Sequence, residues 1–230
     1  MSHVLHLPRP ALVAFDAYGT LFDLTSVLRQ ALADKGPRAS ELLGVWRTQQ
    51  LEYTWLRTLM GRYTDFEHVT ADALDSAMAR LGLSDHALRN RLLAAYEALS
   101  VYPDVLPLLQ ALRRGGFPAV ILSNGTPRML EDAARHGGIR PLVDRILSAD
   151  SVRRYKPAAE VYALVPEAFG VSPGEVLFVS GNAWDVAGAA TYGLSAVWVN
   201  RTQGPAEVLP GAPLATIPDL GALPRYLGIG

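Results

Sequence analysis

The chain has 230 residues, half of them hydrophobic, with 21 Lys and Arg against 22 Asp and Glu. A net charge of -1 argues against nucleic-acid or polyanion binding, and the length suits one domain plus a substantial insertion. The absence of cysteine removes disulfides, thiolate metal sites and a cysteine nucleophile together.

The start, MSHVLHLPRPALVAF, has no basic segment ahead of a long apolar one, and no run approaches the length of a membrane span. The expectation is a soluble cytoplasmic protein without a signal peptide. The apolar run 11–15 predicts a first strand that ends at Asp16. No strand follows over 24–100. There the apolar residues recur at helical spacing: Leu42, Leu43, Trp46, Tyr53, Leu56 and Met60 on one stripe, and Phe66, Val69, Ala73, Leu74, Met78 and Leu81 on another. Ser84 is the expected cap of a further helix running to about 98. A helix over 104–114 returns the chain to a series of short apolar strands at 118–123, 145–149, 176–180 and 195–200. Helices are expected between them at 127–137, 158–170 and 183–192, with His136 in the last turn of the first and Gly137 or Gly138 as its stop. A short strand near 214–217 and a helix at 218–227 complete the chain.

Strands that are apolar throughout, rather than alternating, are covered on both faces. Strand and helix in series imply right-handed crossovers. The predicted fold is therefore α/β: a doubly wound, Rossmann-like parallel sheet from 1–23 and 101–230, with a helical cap inserted at 24–100.

Ligands of such sheets bind beyond the carboxyl ends of the strands. Four strands here are followed by polar clusters: Asp16 with Tyr18, Gly19 and Thr20; Ser123-Asn124-Gly125; DSVRRYKP with Lys156; and Ser180-Gly181-Asn182 with Asp185 one turn on. Each alone reads as a turn or a cap. The four in this order form a site. His3, His6, His68, His86 and His136 fall in none of these clusters, and no dinucleotide or phosphate-loop fingerprint is present.

From about Ala11 to Arg201 the sequence resembles the haloacid dehalogenase superfamily, and within it the L-2-haloacid dehalogenases. FDAYGTLFD, SNGTPRML, YKPAAEVY and SGNAWD resemble that group's motifs, as does the cap segment VWRTQQLEYTWLRTLMGRYTDF. The superfamily's phosphatases carry a second aspartate where this chain has Tyr18, to protonate an alkoxide. A halide leaves without a proton, so no acid is required there. Those phosphatases also carry a magnesium-ligating aspartate where this chain has Gly181. Both differences point away from phosphoryl transfer and toward attack at carbon, with no cofactor and no metal.

The resemblance implies hydrolysis of small L-2-haloacids to D-2-hydroxy acids through an aspartyl ester on Asp16. It implies that Lys156 keeps Asp16 ionised, that Asp185 orients or activates water, and that Thr20, Tyr162, Ser180 and Asn182 complete the catalytic network. Ser123 and amides after Asp16 would receive the substrate carboxylate. Arg47 and Asn124 would cradle the halide, and Tyr18, Leu51, Phe66 and Trp184 would form an apolar wall. Thr48 stands where glutamine is expected. The partners implied are a 2-haloacid, water and halide, with neither nucleic acid nor membrane, and a homodimer to which the aromatic-rich 46–63 segment contributes. Another hydrolase of the superfamily, a metal-dependent phosphatase included, and a non-catalytic carboxylate binder are the alternatives.

Overall fold

Six parallel strands form one sheet in a computed structural model that describes residues 9–32 and 37–229. In chain order they are β1 (Leu12–Phe15), β2 (Ala119–Ser123), β3 (Arg145–Ser148), β4 (Val176–Ser180), β5 (Ser195–Val199) and β6 (Ala215–Ile217). Their spatial order is β3-β2-β1-β4-β5-β6. β1 pairs with β2 on one side and β4 on the other, with Phe15 in register with both Ile121 and Val179. The winding direction reverses beside β1, so the ends of β2, β1 and β4 flank the switch point where a crevice opens.

The strand sequences do not alternate because both faces are packed. Val13, Phe15, Ile121 and Val179 enter one core layer, while Leu12, Ala14, Val120, Leu122 and Phe178 enter the other.

Between β1 and β2 lie α1 (Leu24–Ala31), α2 (Pro37–Leu59), α3 (Phe66–Arg80), α4 (His86–Glu97) and α5 (Val105–Arg114). The first four form a helical layer over the crevice, built around the α2–α3 pair. Helix α3 follows its predicted stripe: Phe66, Val69, Ala73, Leu74 and Met78 are buried, and Leu81 is half-buried. Full burial of a side chain such as Val69 or Leu74 contributes about 1.5–3 kcal/mol. The α3 cap is Asp65, whose carboxylate accepts from His68 N. The cap of α4 is Asp85, not Ser84. Asp85 accepts from Leu88 N at 2.9 Å, and the helix begins one residue later than a Ser84 cap requires.

The predicted stripe of α2 is only half right. Leu42 and Trp46 are buried, but Leu56 and Met60 are 49% and 62% exposed. Gln49, Gln50 and Thr54 are buried in their stead. The reason is hydrogen bonding across to α3. Gln49 accepts from Ser76, and Gln50 donates to Thr70, so these polar groups satisfy one another inside the layer. His3 and His6 lie outside the described residues.

Helices α6 (Pro127–His136), α7 (Ala159–Phe169), α8 (Ala183–Tyr192) and α9 (Leu223–Leu227) complete the sheet's covering layers. The α6 helix ends at Gly137, and Gly138 follows with φ +68°. The last helix is shorter than expected, because residues 220–222 form a 3₁₀ turn first. Cap and sheet are tied together by Tyr155 OH donating to Thr64 O, Tyr63 OH donating to Asp150 Oδ1, and an Arg128–Glu67 ion pair at 2.7 Å.

Candidate active site

Asp16 follows β1 at the switch point and is only 6% exposed. The chain then makes a tight turn through Gly19, whose φ of +82° is a left-handed conformation that a side chain would strain. The turn brings Thr20 back onto Asp16. Thr20 Oγ1 donates to Asp16 Oδ2 at 2.9 Å and accepts from Gly181 N at 2.7 Å. Those two bonds fix its single proton on the carboxylate.

The β4 end meets the same carboxylate from the other side. Asn182 occupies the N-cap position of α8, yet its side chain makes no capping bond. Instead Asn182 Nδ2 donates to Asp16 Oδ2 at 2.8 Å and to Tyr18 O at 3.1 Å. Ser180 Oγ donates to Asp16 Oδ2 at 3.5 Å and accepts from Asn182 N. The two oxygens of Asp16 are therefore unlike. Oδ2 is held by Thr20, Asn182 and Ser180. Among the described residues Oδ1 accepts from Lys156 Nζ alone, at 3.1 Å.

Lys156 arrives from the loop after β3. It is 1% exposed and its Nζ bridges Asp16 Oδ1 and Asp185 Oδ2, the latter at 2.9 Å. The ammonium also lies 4.8 Å from the centroid of the Phe178 ring, which favours a cation. Burial opposes the charge on Lys156, but the Asp16 and Asp185 carboxylates outweigh it and raise its pKa. Asp185, fully buried on the first turn of α8, is displaced the other way from a normal ion-paired acid. Burial pushes its pKa up, Lys156 works against that, and Asp16 adds to it. Tyr162 OH donates to Asp185 Oδ1 at 2.7 Å, so Tyr162 reaches Asp16 only through Asp185.

At the β2 end, Ser123 Oγ accepts from Gly125 N, which leaves its own proton free to donate. Asn124 Oδ1 accepts from Lys156 N and so anchors the lysine loop. Above them Tyr18 is buried and stacks on Phe66 at 5.6 Å. Burial, then Tyr96 and Asp16, raise its pKa well above normal, so it stays protonated.

A cavity of about 180 Å³ opens between this network and the cap, lined in part by Tyr18, Asn182, Arg47, Gln50 and Tyr96. Arg47 thus reaches the cleft. Leu51 is half-buried one turn further along α2. Trp184, expected in the pocket wall, lies on the first turn of α8 beside Asp185. It packs edge-on against Trp55 at 5.6 Å and lines a separate apolar cleft of about 450 Å³ with Pro157 and Leu209. Trp184 and Asp185 are consecutive on α8, so their side chains leave the helix about 100° apart.

Sequence reasoning passed over Gln50 and Tyr96. The signal for Gln50 was present: it lies four residues after Trp46 and eight after Leu42, on a stripe that is otherwise apolar.

A magnesium ion, which the superfamily's phosphatases imply, does not fit these residues. The Lys156 ammonium already lies between the two carboxylates. A Cβ at Gly181 would collide with the Gly19 carbonyl oxygen, so an acidic side chain cannot be accommodated there without moving the loop.

A buried carboxylate at the end of β1, a lysine bridging it to a second aspartate, and a helical cap inserted after β1 define the class. The sequence model of the haloacid dehalogenase-like hydrolases matches residues 10–193, and the chain belongs to that family. Among its relatives is (S)-2-haloacid dehalogenase 1 of Pseudomonas sp. (strain CBS-3), 44% identical over 214 residues that cover 93% of this chain and 94% of that one. The crystal structure of the L-2-haloacid dehalogenase RSc1362 superposes with a TM-score of 0.93 at 42% identity, covering 96% of this chain and 100% of that one. The L-2-haloacid dehalogenase of Xanthobacter autotrophicus with chloropropionic acid covalently bound superposes with a TM-score of 0.86 at 38% identity, covering 95% and 98%.

Proposed function

We propose that the protein hydrolyses small L-2-haloacids to D-2-hydroxy acids with inversion, through an ester on Asp16. The observation that carries this reading is the asymmetry of the Asp16 carboxylate. Oδ1, contacted by Lys156 alone among the described residues, is the oxygen with a lone pair to give. It attacks the α carbon from the side opposite the halogen, the new C–O bond forms, and the carbon–halogen pair leaves as halide. Oδ2 becomes the carbonyl oxygen of the ester. Its donors Thr20, Asn182 and Ser180 are already in place for the negative charge that develops there when water attacks the Asp16 Cγ.

Asp185 takes the proton from that water, and its raised pKa makes it a better base than a free carboxylate. Collapse of the tetrahedral intermediate expels the alkoxide, which recovers the proton and departs as the 2-hydroxy acid. Tyr18, held neutral by burial, need not supply a proton because halide is a very weak base. Arg47 and Asn124 stabilise the leaving halide, and Ser123 with the amides after Asp16 holds the substrate carboxylate. Phe66 and Tyr18 exclude water from the reacting atoms. Leu51 extends that wall, and Trp184 supports the Asp185 turn from behind. Two cations, Lys156 and Arg47, balance the two acids before an anionic substrate enters.

We also propose a homodimer. Leu56, Leu59 and Met60, exposed together at the end of α2, form the apolar face that a second copy would cover. Light scattering should give twice the chain mass, and L59E should halve it.

The test of the reaction is halide release from each enantiomer of 2-chloropropionate with EDTA present, beside a phosphatase assay with magnesium. Chloride from the L form alone, with D-lactate as product, is the expected result. Phosphate release without chloride would overturn the proposal.

A further inference from the structure

Gln50 is 1% exposed in the cap, yet it borders the cavity lined by Tyr18 and Asn182, the latter bonded to Asp16. It lies three residues after Arg47 on α2, so the two side chains are neighbours on the helix surface. Arg47 Nη1 donates to Gln50 Oε1 at 2.6 Å. Gln50 Nε2 donates to Thr70 Oγ1 at 2.7 Å and to Tyr96 OH at 3.1 Å.

The sense of this amide is set by its surroundings. Thr70 has one hydroxyl proton and spends it on Phe66 O at 2.6 Å. Its oxygen must therefore accept from Gln50, which turns the Gln50 carbonyl toward Arg47. The opposite orientation would set an NH₂ group against the guanidinium. The hydrogen bonds run in one direction, from Arg47 to Gln50 and from Gln50 through Thr70 to Phe66 O. Phe66 is the residue that stacks on Tyr18. Trp46 Nε1, one turn earlier on α2, donates to Thr70 O at 2.9 Å and holds the same turn of α3. A flexible arginine at a cleft edge is thus attached to the backbone turn that packs on the body.

We propose that Gln50 is a positioning residue for Arg47: its carbonyl, oriented by Thr70 and Tyr96, aims the guanidinium into the cavity lined by Tyr18 and Asn182. Its hydrogen bonds go to Arg47, Thr70 and Tyr96 and none to Asp16, so it acts through Arg47. The inference rests on the reading of that cavity as the place where the halide departs. Freed from Gln50, Arg47 would spread over other rotamers, and each turnover would find it correctly placed less often. The loss falls on the carbon–halogen step, and it falls harder on chloride than on bromide, because a better leaving group needs less help.

The experiment compares wild type, Q50M, R47K and the double variant on L-2-chloropropionate and L-2-bromopropionate, with kcat and KM separated and thermal midpoints recorded. Methionine keeps the length of glutamine and removes both hydrogen-bonding ends. Q50M is expected to lower kcat/KM for the chloro acid about tenfold, and that for the bromo acid by clearly less. In the R47K background the same substitution should cost less than about threefold, because the two act as one unit. T70V removes the acceptor that orients the amide. It should give a smaller loss of the same kind, and it keeps the test open if Q50M folds poorly. Equal losses on both halides, full additivity with R47K, or unchanged turnover in both Q50M and T70V would overturn the proposal. Absence of halide release from wild type, or R47K indistinguishable from wild type, would instead overturn the underlying reading of the cavity.

Discussion

The two walls of the cleft hold their charged groups in different ways. On the body side, Asp16, Lys156 and Asp185 are buried beyond the carboxyl ends of parallel strands, and each is fixed by at least one other charge. On the cap side, Arg47 is partly exposed, sits mid-helix, and leans on the neutral amide of Gln50. The body triad is part of the core, so its chemistry and its stability are coupled. Arg47 lies at a partly exposed edge of the cap, so its loss can change activity with little effect on folding, whereas Gln50 is 1% exposed inside it.

D16N should have the largest effect on activity. It keeps the shape of the site but removes the nucleophile, and halide release should fall by about 10⁴-fold or more with the fold retained. Next comes the contrast between the cations. K156M leaves two buried carboxylates without their partner and should destabilise the protein by about 3–5 kcal/mol in urea denaturation, besides ending turnover. R47M should also reduce turnover severely, yet shift stability by no more than about 1 kcal/mol. Equal destabilisation by both would break the comparison.

Asp185 gives the body wall a pH signature. Burial raises its pKa above the unfolded value, so the native state retains a proton that the unfolded chain has released. Stability should therefore fall as pH rises from the ordinary carboxylate range toward the raised folded value. Turnover limited by ester hydrolysis should rise over the same window, because the base form is required. D185N should remove both trends, and single-turnover alkylation in D185N should leave the ester on Asp16.

The smallest effect belongs to the cap scaffold. D65A removes the N-cap of α3 and should cost about 1 kcal/mol of stability, leaving kcat/KM unchanged.

The body wall was legible in the sequence because strand ends are legible. An apolar run that stops at Asp16 or Ser180 marks both the element and the place where a polar residue can face a crevice. The apolar runs also gave five of the six strands and the covering of both sheet faces. The cap was legible only in part. Helical spacing found α3 in full, but on α2 it selected Leu56 and Met60 over Gln49, Gln50 and Thr54. A hydrophobic stripe cannot register glutamines that satisfy one another across two helices. Asp85 was missed as a cap because Ser84 beside it carries the same signal.

The central claim is that an Asp16 oxygen ends up in the product. A single turnover with enzyme in excess, run in H₂¹⁸O, tests it most directly. The account predicts unlabelled hydroxyl oxygen in the 2-hydroxy acid and one ¹⁸O in the peptide carrying Asp16. Label in the hydroxyl group of the product, with an unlabelled Asp16, would mean that water attacks the carbon directly and would contradict the account.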